Sequence, residues 1–398
     1  MTTPRKDSAW AVFLVFLRLG LTSFGGPVAH LGYFREEFVH RRRWLSERSY
    51  ADVVALCQFL PGPASSQVGM AIGLSRAGYR GALAAWAGFT LPSAIALVLF
   101  ALGVASHSAM IPAGALHGLK VVAVAVVAQA VWGMARNLCP DMPRVTLMAA
   151  AACAALLAPS AFGQVGVIIA AGVAGLLLFH PAAAQDHEPL PMTVGRRAGA
   201  LWLALFFCLL AGLPILAAAL PYQSVAEISA LFRSGALVFG GGHVVLPLLQ
   251  AAVVPQGWVS NDAFLAGYGA AQAVPGPLFT FAAFLGASMS SAPSGWAGAA
   301  ICLLAIFAPS FLLVAGALPF WETLRRNART QAALMGVNAA VVGLLLAALY
   351  RPVWTSAILA PRDFGLAVLG FVALSFWKLP PWLVVLCSGA LGWLGAAI

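Results

Sequence analysis

The stretch RLGLTSFGG, residues 18–26, returns in the second half of the chain as RSGALVFGG, residues 233–241, with five of the nine positions identical. A second pair, QFLPGP at residues 58–63 and QAVPGP at 272–277, follows at nearly the same offset. Further matches keep the same order, which favours an internal duplication over chance. They are Trp44 with Trp258, Ser46 with Ser260, Pro92-Ser93 with Pro309-Ser310, and ALHGLK at 115–120 with ALMGVN at 333–338.

The duplication predicts the organisation of the chain. We expect a first repeat over residues 1–180, a linker with one connecting transmembrane helix over residues 181–228, and a second repeat over residues 229–398. The sequence around residues 181–197 is the hydrophilic stretch near the middle, with prolines and mixed charge, which is typical of a linker.

Composition places the chain in a membrane. Of its 398 residues, 62% are hydrophobic and 9% are charged, against about a quarter charged in soluble domains. Apolar runs recur along the chain, and several reach the roughly 20 residues that a straight helix needs to cross the hydrocarbon core. Two runs, 145–158 and 364–376, are shorter and need their flanks. We therefore predict an all-α polytopic membrane protein, an inverted-repeat transporter with broken or re-entrant helices.

Four breaks interrupt these apolar runs, two in each repeat. Proline removes a helical hydrogen bond, and unpaired backbone groups cost several kcal/mol each in hydrocarbon. Such breaks persist where protein or a water-filled cavity satisfies them, and they create helix N-termini that attract anions. A single break is an ordinary kink, but duplicated breaks in register favour a binding site. The breaks are Phe24-Gly25-Gly26-Pro27, Pro61-Gly62-Pro63, Phe239-Gly240-Gly241-Gly242 and Pro275-Gly276-Pro277.

The distribution of Arg and Lys predicts the topology. If the broken segments are re-entrant hairpins, the N-terminus, the loop over residues 35–48 and the turn with Arg76 and Arg80 share one face, which the positive-inside rule makes cytoplasmic. The matching loop of the second repeat, PQGWVSND at residues 255–262, contains no Arg or Lys, as expected for an inverted repeat. Arg351 and Arg362 depart from this pattern. Fully crossing segments would instead place basic clusters on both sides.

The candidate substrate-binding residues are the breaks and the polar residues beside them. Each has an alternative structural role: the arginines and Lys120 as snorkelling or packing residues, the glutamines as helix caps. His30 and His243 are interpreted as packed, hydrogen-bonded residues rather than proton carriers. The candidates are Arg18, Ser23, Phe24, Gly25, Gly26, Gln58, Pro61, Gly62, Ser65, Ser66, Lys120, Arg233, Phe239, Gly240, Gly241, Gln272, Pro275, Gly276 and Thr280.

Several function classes find no support in the sequence. It contains no phosphate-binding loop, no metal-ligand cluster and no nucleophile–base arrangement, so we expect no enzyme activity, cofactor or metal. The net charge of +10 comes without a nucleic-acid recognition motif. The charged stretch 35–52 is interpreted as an interfacial helix on anionic lipid rather than an anion funnel. Few carboxylates lie in apolar runs, which favours an anionic over a cationic substrate.

The breaks and their neighbours resemble those of the chromate ion transporter family in its long-chain, two-domain form. The motifs are Phe24-Gly-Gly-Pro27 with His30, Arg42-Arg-Trp44-Leu, QFLPGP at 58–63, Phe239-Gly-Gly-Gly-His243 and QAVPGP at 272–277. The resemblance implies a bacterial inner-membrane protein that exports chromate and confers resistance, with half-domains in opposite orientations. This sequence departs from strict symmetry at Pro27, which matches Gly242, and at Lys120, which matches Asn338.

The residues alone leave the substrate open between chromate and sulfate or another tetrahedral oxyanion, because these ions share charge and shape. A receptor or assembly protein without transport activity is the alternative of a different class. Homodimer formation and the coupling ion are also left open.

Overall fold

The computed structural model describes residues 7–106, 112–158, 160–180 and 194–397, and these residues form helices and contain no β-strand. The amino-terminal Arg5 and Lys6 and the linker residues 181–193 lie outside the described ranges. The helical structure agrees with the composition. Because 62% of the residues are hydrophobic, much of the chain lies in lipid, where a helix satisfies its own backbone hydrogen-bonding groups. The protein is thus an all-α polytopic membrane protein.

The first repeat contains seven helices in the described residues. Two of them are short legs before the breaks, and α4 turns sharply at Ala77 and Gly78, where the backbone leaves helical geometry. The helices are α1 (Ala9–Thr22), α2 (Gly26–Arg35, continued by a π-helical segment Glu36–Arg41), α3 (Glu47–Phe59), α4 (Ala64–Ser106), α5 (Ala113–Leu138), α6 (Met142–Leu157) and α7 (Ala161–Leu178).

The connecting helix and the helices of the second repeat complete the described chain. They comprise α8 (Arg196–Ala219), α9 (Gln223–Ala236), α10 (Val245–Val253, preceded by the 3₁₀ turn Gly242–Val244), α11 (Asn261–Ala271), α12 (Phe281–Ala287, preceded by the turn Leu278–Thr280), α13 (Gly295–Ala317), α14 (Trp321–Arg326), α15 (Ala328–Ala348), α16 (Thr355–Ala357), α17 (Pro361–Ser375) and α18 (Pro381–Ala397). The helices α6 and α17 correspond to the two short apolar runs, and each begins a few residues earlier than its run.

Among the described residues, five helical stretches are long and apolar enough to cross a membrane, the first of them including the turn of α4 at Ala77 and Gly78. They are Ala64–Ala105, Ala113–Leu138, Arg196–Ala219, Gly295–Phe320 and Ala328–Ala357. By contrast, α1 has 14 residues and measures about 21 Å, too short for a hydrocarbon core of about 30 Å. The legs on either side of each break are therefore half-crossings.

The legs of the first repeat return to the end from which they started. Arg76, at the end of the first part of α4, forms a 2.7 Å ion pair with Asp7 at the start of α1. Its guanidinium also lies 4.9 Å from the ring centroid of Trp44, which precedes α3. One side chain thus joins the entry of the first hairpin, the loop between the hairpins and the exit of the second. We call this cluster of Asp7, Trp44 and Arg76 the basic end.

The second repeat closes in the same way with neutral groups. The hydroxyl of Ser290 donates 2.8 Å to the carbonyl oxygen of Trp258, and the hydroxyl of Ser291 bonds to the side-chain oxygen of Gln223 at the start of α9. We call this cluster of Gln223, Trp258 and Ser291 the neutral end. In both repeats the geometry matches re-entrant hairpins rather than fully crossing segments.

The two ends lie at opposite ends of the long second part of α4. This part, residues 79–106, starts at the basic end and measures about 42 Å. Near its far end, the ring centroid of Phe100 lies 6.0 Å from that of Phe284 in α12. Helix α12 is followed within a few residues by Ser291 of the neutral end. The two repeats therefore run in opposite directions, as the charge pattern predicted.

Each repeat also contributes one long helix that packs against helices of the other repeat. Helix α5 of the first repeat packs against α17 and α18 of the second, and α15 packs against α6 and α7 of the first. Close approaches at small residues make this possible: Gly118 lies against the backbone of Ser388, and its equivalent Gly336 lies against the backbone of Ala171. The sequence repeats are thus not separate packing units, and the centre of the molecule belongs to both.

Candidate functional site

The breaks of the two repeats are joined by reciprocal backbone hydrogen bonds. The N–H of Gly62 donates 2.7 Å to the carbonyl oxygen of Val238, and the N–H of Gly276 donates 2.9 Å to that of Ser23. Each bond joins the Pro-Gly-Pro break of one repeat to the Phe-Gly-Gly break of the other. Because the four residues are equivalent in pairs, the breaks meet around a pseudo-two-fold axis at the centre of the molecule.

Glycine is required at both Pro-Gly-Pro breaks. Gly62 and Gly276 have φ values of 128° and 103°, which L-residues with side chains rarely adopt. A Cβ on Gly276 would also lie 2.8 Å from the hydroxyl oxygen of Ser93, and one on Gly62 would lie 2.7 Å from that of Ser310. The buried serines thus pack directly behind the two breaks, and this explains the matched Pro-Ser pairs in the sequence.

A small cavity lies where the breaks meet. Its volume is 60 Å³, room for about four water-sized groups. None of the described residues that line it is a Lys, Arg, Asp or Glu. The lining residues are Gly25, Gly26, Pro27, Val126, Gln129, His243, Ala271, Gln272, Val274, Gly276, Leu278 and Pro381.

Helix α2 begins at this cavity. Gly25 caps the helix in a left-handed conformation, and Pro27 occupies its first turn, where a missing N–H costs nothing. The first N–H groups of a helix have no partner within it and carry a partial positive charge. The cavity therefore offers backbone hydrogen-bond donors and a favourable dipole to an anion.

Two glutamines add amide donors. Gln272 lines the cavity, and its side-chain nitrogen is buried without a hydrogen-bond partner among the described residues. The side-chain nitrogen of Gln129 donates 3.2 Å to the carbonyl oxygen of Leu374, which uses one of its two hydrogens. Each amide can thus donate a hydrogen bond into the cavity.

The contact of His243 with Tyr268 assigns His243 as a further donor. The Nδ1 atom of His243 lies 2.8 Å from the hydroxyl oxygen of Tyr268, which is fully buried in α11. The hydroxyl has no other hydrogen-bond partner in the described part of the chain, and a buried hydroxyl proton without an acceptor is costly, so we assign this proton to Nδ1. The neutral ring then carries its own proton on Nε2, which is free for the cavity.

Polar candidates of the first repeat surround the break from behind. His30 is buried between the carbonyl oxygen of Ser23, 3.2 Å from Nε2, and the hydroxyl of Ser65, 3.4 Å from Nδ1. The hydroxyl of Ser66 is buried with no partner among the described residues. These groups therefore support the break and do not line the cavity. Pro61 accepts a 2.7 Å hydrogen bond from the side chain of Gln67.

The charged candidates lie away from the cavity. Arg18 is exposed on α1, and Arg233 is half-buried on α9. The ammonium of Lys120 forms a 3.0 Å ion pair with Asp262 at the start of α11. Gln58 is exposed, unlike its equivalent Gln272. The sequence repeat thus makes these positions equivalent, while the structure places only one glutamine of the pair at the cavity.

The remaining candidates divide between the cavity and its equivalent in the other repeat. Gly25, Gly26 and Gly276 line the cavity, whereas Gly240 and Gly241 pack against Met134. The hydroxyl of Thr280 is buried and donates 2.8 Å to the carbonyl oxygen of Pro277. Phe24, Phe239 and Pro275 are partly buried at the breaks themselves.

Sequence reasoning missed Gln129 and undervalued His243. Gln129 is a polar amide within the apolar run 112–135, a signal that could have been used. His243 has no histidine at the equivalent position of the first repeat, where Val28 stands, so the symmetry argument did not select it. No group of three or more His, Cys, Asp or Glu residues that could hold a metal occurs in the described ranges.

Comparison with known proteins agrees with this arrangement of two repeats. The sequence profile of the chromate transporter family matches residues 10–176 and 225–393, one match in each half. The chain belongs to the chromate transporter family. Relatives of the chain include proteins named chromate transport protein.

The similarity to these relatives extends over nearly the full length. A chromate transport protein of Pseudomonas aeruginosa is 29% identical, covering 98% of this chain and 93% of the relative. A chromate transport protein of Cupriavidus metallidurans is 25% identical, covering 95% and 91%. An uncharacterized transporter of Methanocaldococcus jannaschii is 26% identical, covering 99% and 96%. No solved structure shows a significant match to the chain.

Proposed function

We propose that the protein exports chromate across the bacterial inner membrane and thereby confers chromate resistance, with the central cavity as its substrate site. The observation that carries the site is the meeting of the broken helices of both repeats around a cavity lined by hydrogen-bond donors. Membership of the chromate transporter family supports the substrate class. The basic end faces the cytoplasm in this proposal, following the positive-inside rule.

The chemistry of the cavity suits a small tetrahedral oxyanion. The start of α2, the amides of Gln129 and Gln272 and the Nε2–H of His243 are all neutral donors. Neutral donors stabilise an anion by hydrogen bonds and dipoles, and such hydrogen bonds to charged groups contribute about 1.5–3 kcal/mol each. A site without fixed positive charge also releases its anion more readily than an arginine pair would, which favours turnover.

The membrane potential supports export. Moving one charge across 100 mV changes its free energy by about 2.3 kcal/mol, so a dianion gains about 4.6 kcal/mol. With the cell interior negative, chromate runs outward without a coupling ion, whereas import needs a cotransported cation.

Chromate flux in everted membrane vesicles tests the proposal. Export is measured there as uptake, and we expect uptake that rises when the vesicle interior is made positive. Vesicles from cells with the empty vector are the control. Uptake that is equal in both preparations would contradict transport and support a receptor or assembly role instead.

Competition decides between chromate and the related oxyanions. Sulfate added outside the vesicles reduces chromate uptake in proportion to its own affinity for the site. We expect chromate to be preferred; sulfate uptake at equal or higher rate than chromate would make sulfate the substrate and contradict the resistance function.

A further inference from the structure

The two repeats differ in the packing of the helix that precedes each Pro-Gly-Pro break. This helix is α11 in the second repeat and α3 in the first, and the long helices at the equivalent positions beside them are α5 and α15. At the neutral end, α11 packs along α5, with Gly269 against the backbone of Leu119 and Leu265 fully buried. The equivalents of Leu265 and Gly269 are Ala51 and Ala55 on α3. Both are exposed, and α3 makes no comparable packing against α15 in the described residues.

An ion pair strengthens the packed side. Lys120 of α5, whose side chain is 14% exposed, holds Asp262 of α11 at 3.0 Å. The equivalent residues at the other end are Asn338 of α15 and Arg48 of α3, and Arg48 is exposed. An asparagine carbonyl can accept a hydrogen bond from a guanidinium, so this second pair is chemically able to meet.

We propose that the two ends are alternative gates and that the structure is the state with the neutral end closed. In the other state α3 packs along α15, bringing Ala51 and Ala55 against α15 and Arg48 to Asn338, while Lys120 and Asp262 separate. Each repeat then adopts the packing that its partner has now. Because the repeats are inverted, this exchange moves access to the cavity from the basic end to the neutral end.

The sequence of α3 fits this second packing. Ala51 and Ala55 stand four residues apart and thus on one face of the helix. Small residues allow close approach of helices within a membrane, and Gly269 makes such an approach to α5 in the closed gate. The bonds of Gly62 to Val238 and of Gly276 to Ser23 join the repeats at the centre, so the breaks form the fixed part around which the gates move.

Thiol labelling of purified full-length protein in detergent tests the proposal without any substrate. In a background with the six native cysteines replaced, Leu265→Cys is labelled by a water-soluble maleimide only when the neutral end opens. Its repeat equivalent Ala51→Cys is the exposed reference. We expect Lys120→Met to raise the labelling rate of Leu265→Cys by up to about fivefold, the range for loss of a partly exposed ion pair, and to leave that of Ala51→Cys within twofold.

Charge exchange and cross-linking separate gate opening from general loosening. The double change Lys120→Asp with Asp262→Lys restores the pair and is expected to return the labelling rate of Leu265→Cys to its starting value. A short bifunctional thiol reagent that joins Arg48→Cys to Asn338→Cys is expected to expose Leu265→Cys, and one that joins Lys120→Cys to Asp262→Cys to protect it.

Simultaneous cross-linking of both pairs in one molecule would overturn the proposal, because the gates would then close independently. An unchanged labelling rate of Leu265→Cys after Arg48→Cys is cross-linked to Asn338→Cys would overturn it as well. The labelling and cross-linking results do not depend on chromate. The gate proposal can therefore be contradicted while chromate transport is confirmed, and chromate transport can be contradicted while the gate proposal holds.

Discussion

The backbone N–H of Gly276 donates a 2.9 Å hydrogen bond to the carbonyl oxygen of Ser23, and Gly62 makes the equivalent bond to Val238. These two bonds tie the broken segments of each repeat to those of the other. They satisfy backbone groups that would otherwise be unpaired at a membrane-embedded break, where each would cost several kcal/mol. The breaks are therefore a single structure built from both repeats.

Gly276→Ala is expected to destabilise the protein and abolish transport. Its φ of 103° strains any other residue by about 1–3 kcal/mol, and the new methyl would lie 2.8 Å from the hydroxyl oxygen of Ser93. Thermal unfolding of the purified protein and chromate uptake per inserted molecule measure the two effects. Gly133→Ala in α5 is the control, since a Cβ there meets open space. Equal unfolding temperatures for the two variants would contradict the strain argument.

Gln272→Ala is expected to weaken chromate binding by about 10- to 150-fold, which corresponds to the 1.5–3 kcal/mol of a hydrogen bond to a charged group. The repeat offers a matched comparison, because the equivalent Gln58 is exposed outside the cavity. Equilibrium binding of chromate to purified protein measures both variants. We expect the chromate affinity of Gln58→Ala to stay within about twofold of that of the unchanged protein. A similar loss in both would mean that the cavity is not the resting binding site.

Tyr268→Phe is expected to weaken chromate binding by about 2- to 10-fold, the range for loss of one neutral hydrogen bond. Without the phenol proton on Nδ1, His243 no longer holds its Nε2 proton toward the cavity. His243→Ala removes the donor itself and is expected to weaken binding more.

Tyr50→Phe is the control for this pair. Its hydroxyl donates 2.6 Å to the carbonyl oxygen of Leu31, away from the cavity, so the variant loses a hydrogen bond without touching the site. If Tyr50→Phe reduces chromate affinity as much as Tyr268→Phe, the effect is structural and the assigned tautomer has no role in binding.

Much of the fold could be read from the sequence because it depends on patterns along the chain. The duplicated RxGxxxFGG and PGP motifs located the four breaks, and the missing Arg and Lys around Trp258 indicated the inverted second repeat. Both depend on residue type and spacing. The contact of Arg76 with Asp7 and Trp44 then gave the geometry that the charge pattern had predicted.

The content of the site could be predicted only in part. Gly25, Gly26, Gln272 and Gly276 are at the cavity, but the equivalence of Gln58 and Gln272 concealed that only one of them lines it. This difference arises from tertiary packing of α3 and α11, which no local pattern records. Similarly, the exchange of α5 and α15 between repeats brings Gln129 to the cavity, and sequence repeats carry no information about which long helix packs with which repeat.

Arg76→Ala is expected to lower the free energy of unfolding by about 1 kcal/mol, from loss of the ion pair with Asp7 and the cation–π contact with Trp44. The cluster holds the two hairpins of the first repeat at the basic end and lies far from the cavity, so chromate affinity should not change. Denaturant unfolding and equilibrium binding measure the two quantities. Arg80→Ala, an exposed arginine four residues along, is the control and is expected to leave both unchanged. A loss of affinity in Arg76→Ala at unchanged stability would assign the basic end to the substrate path instead of to hairpin closure.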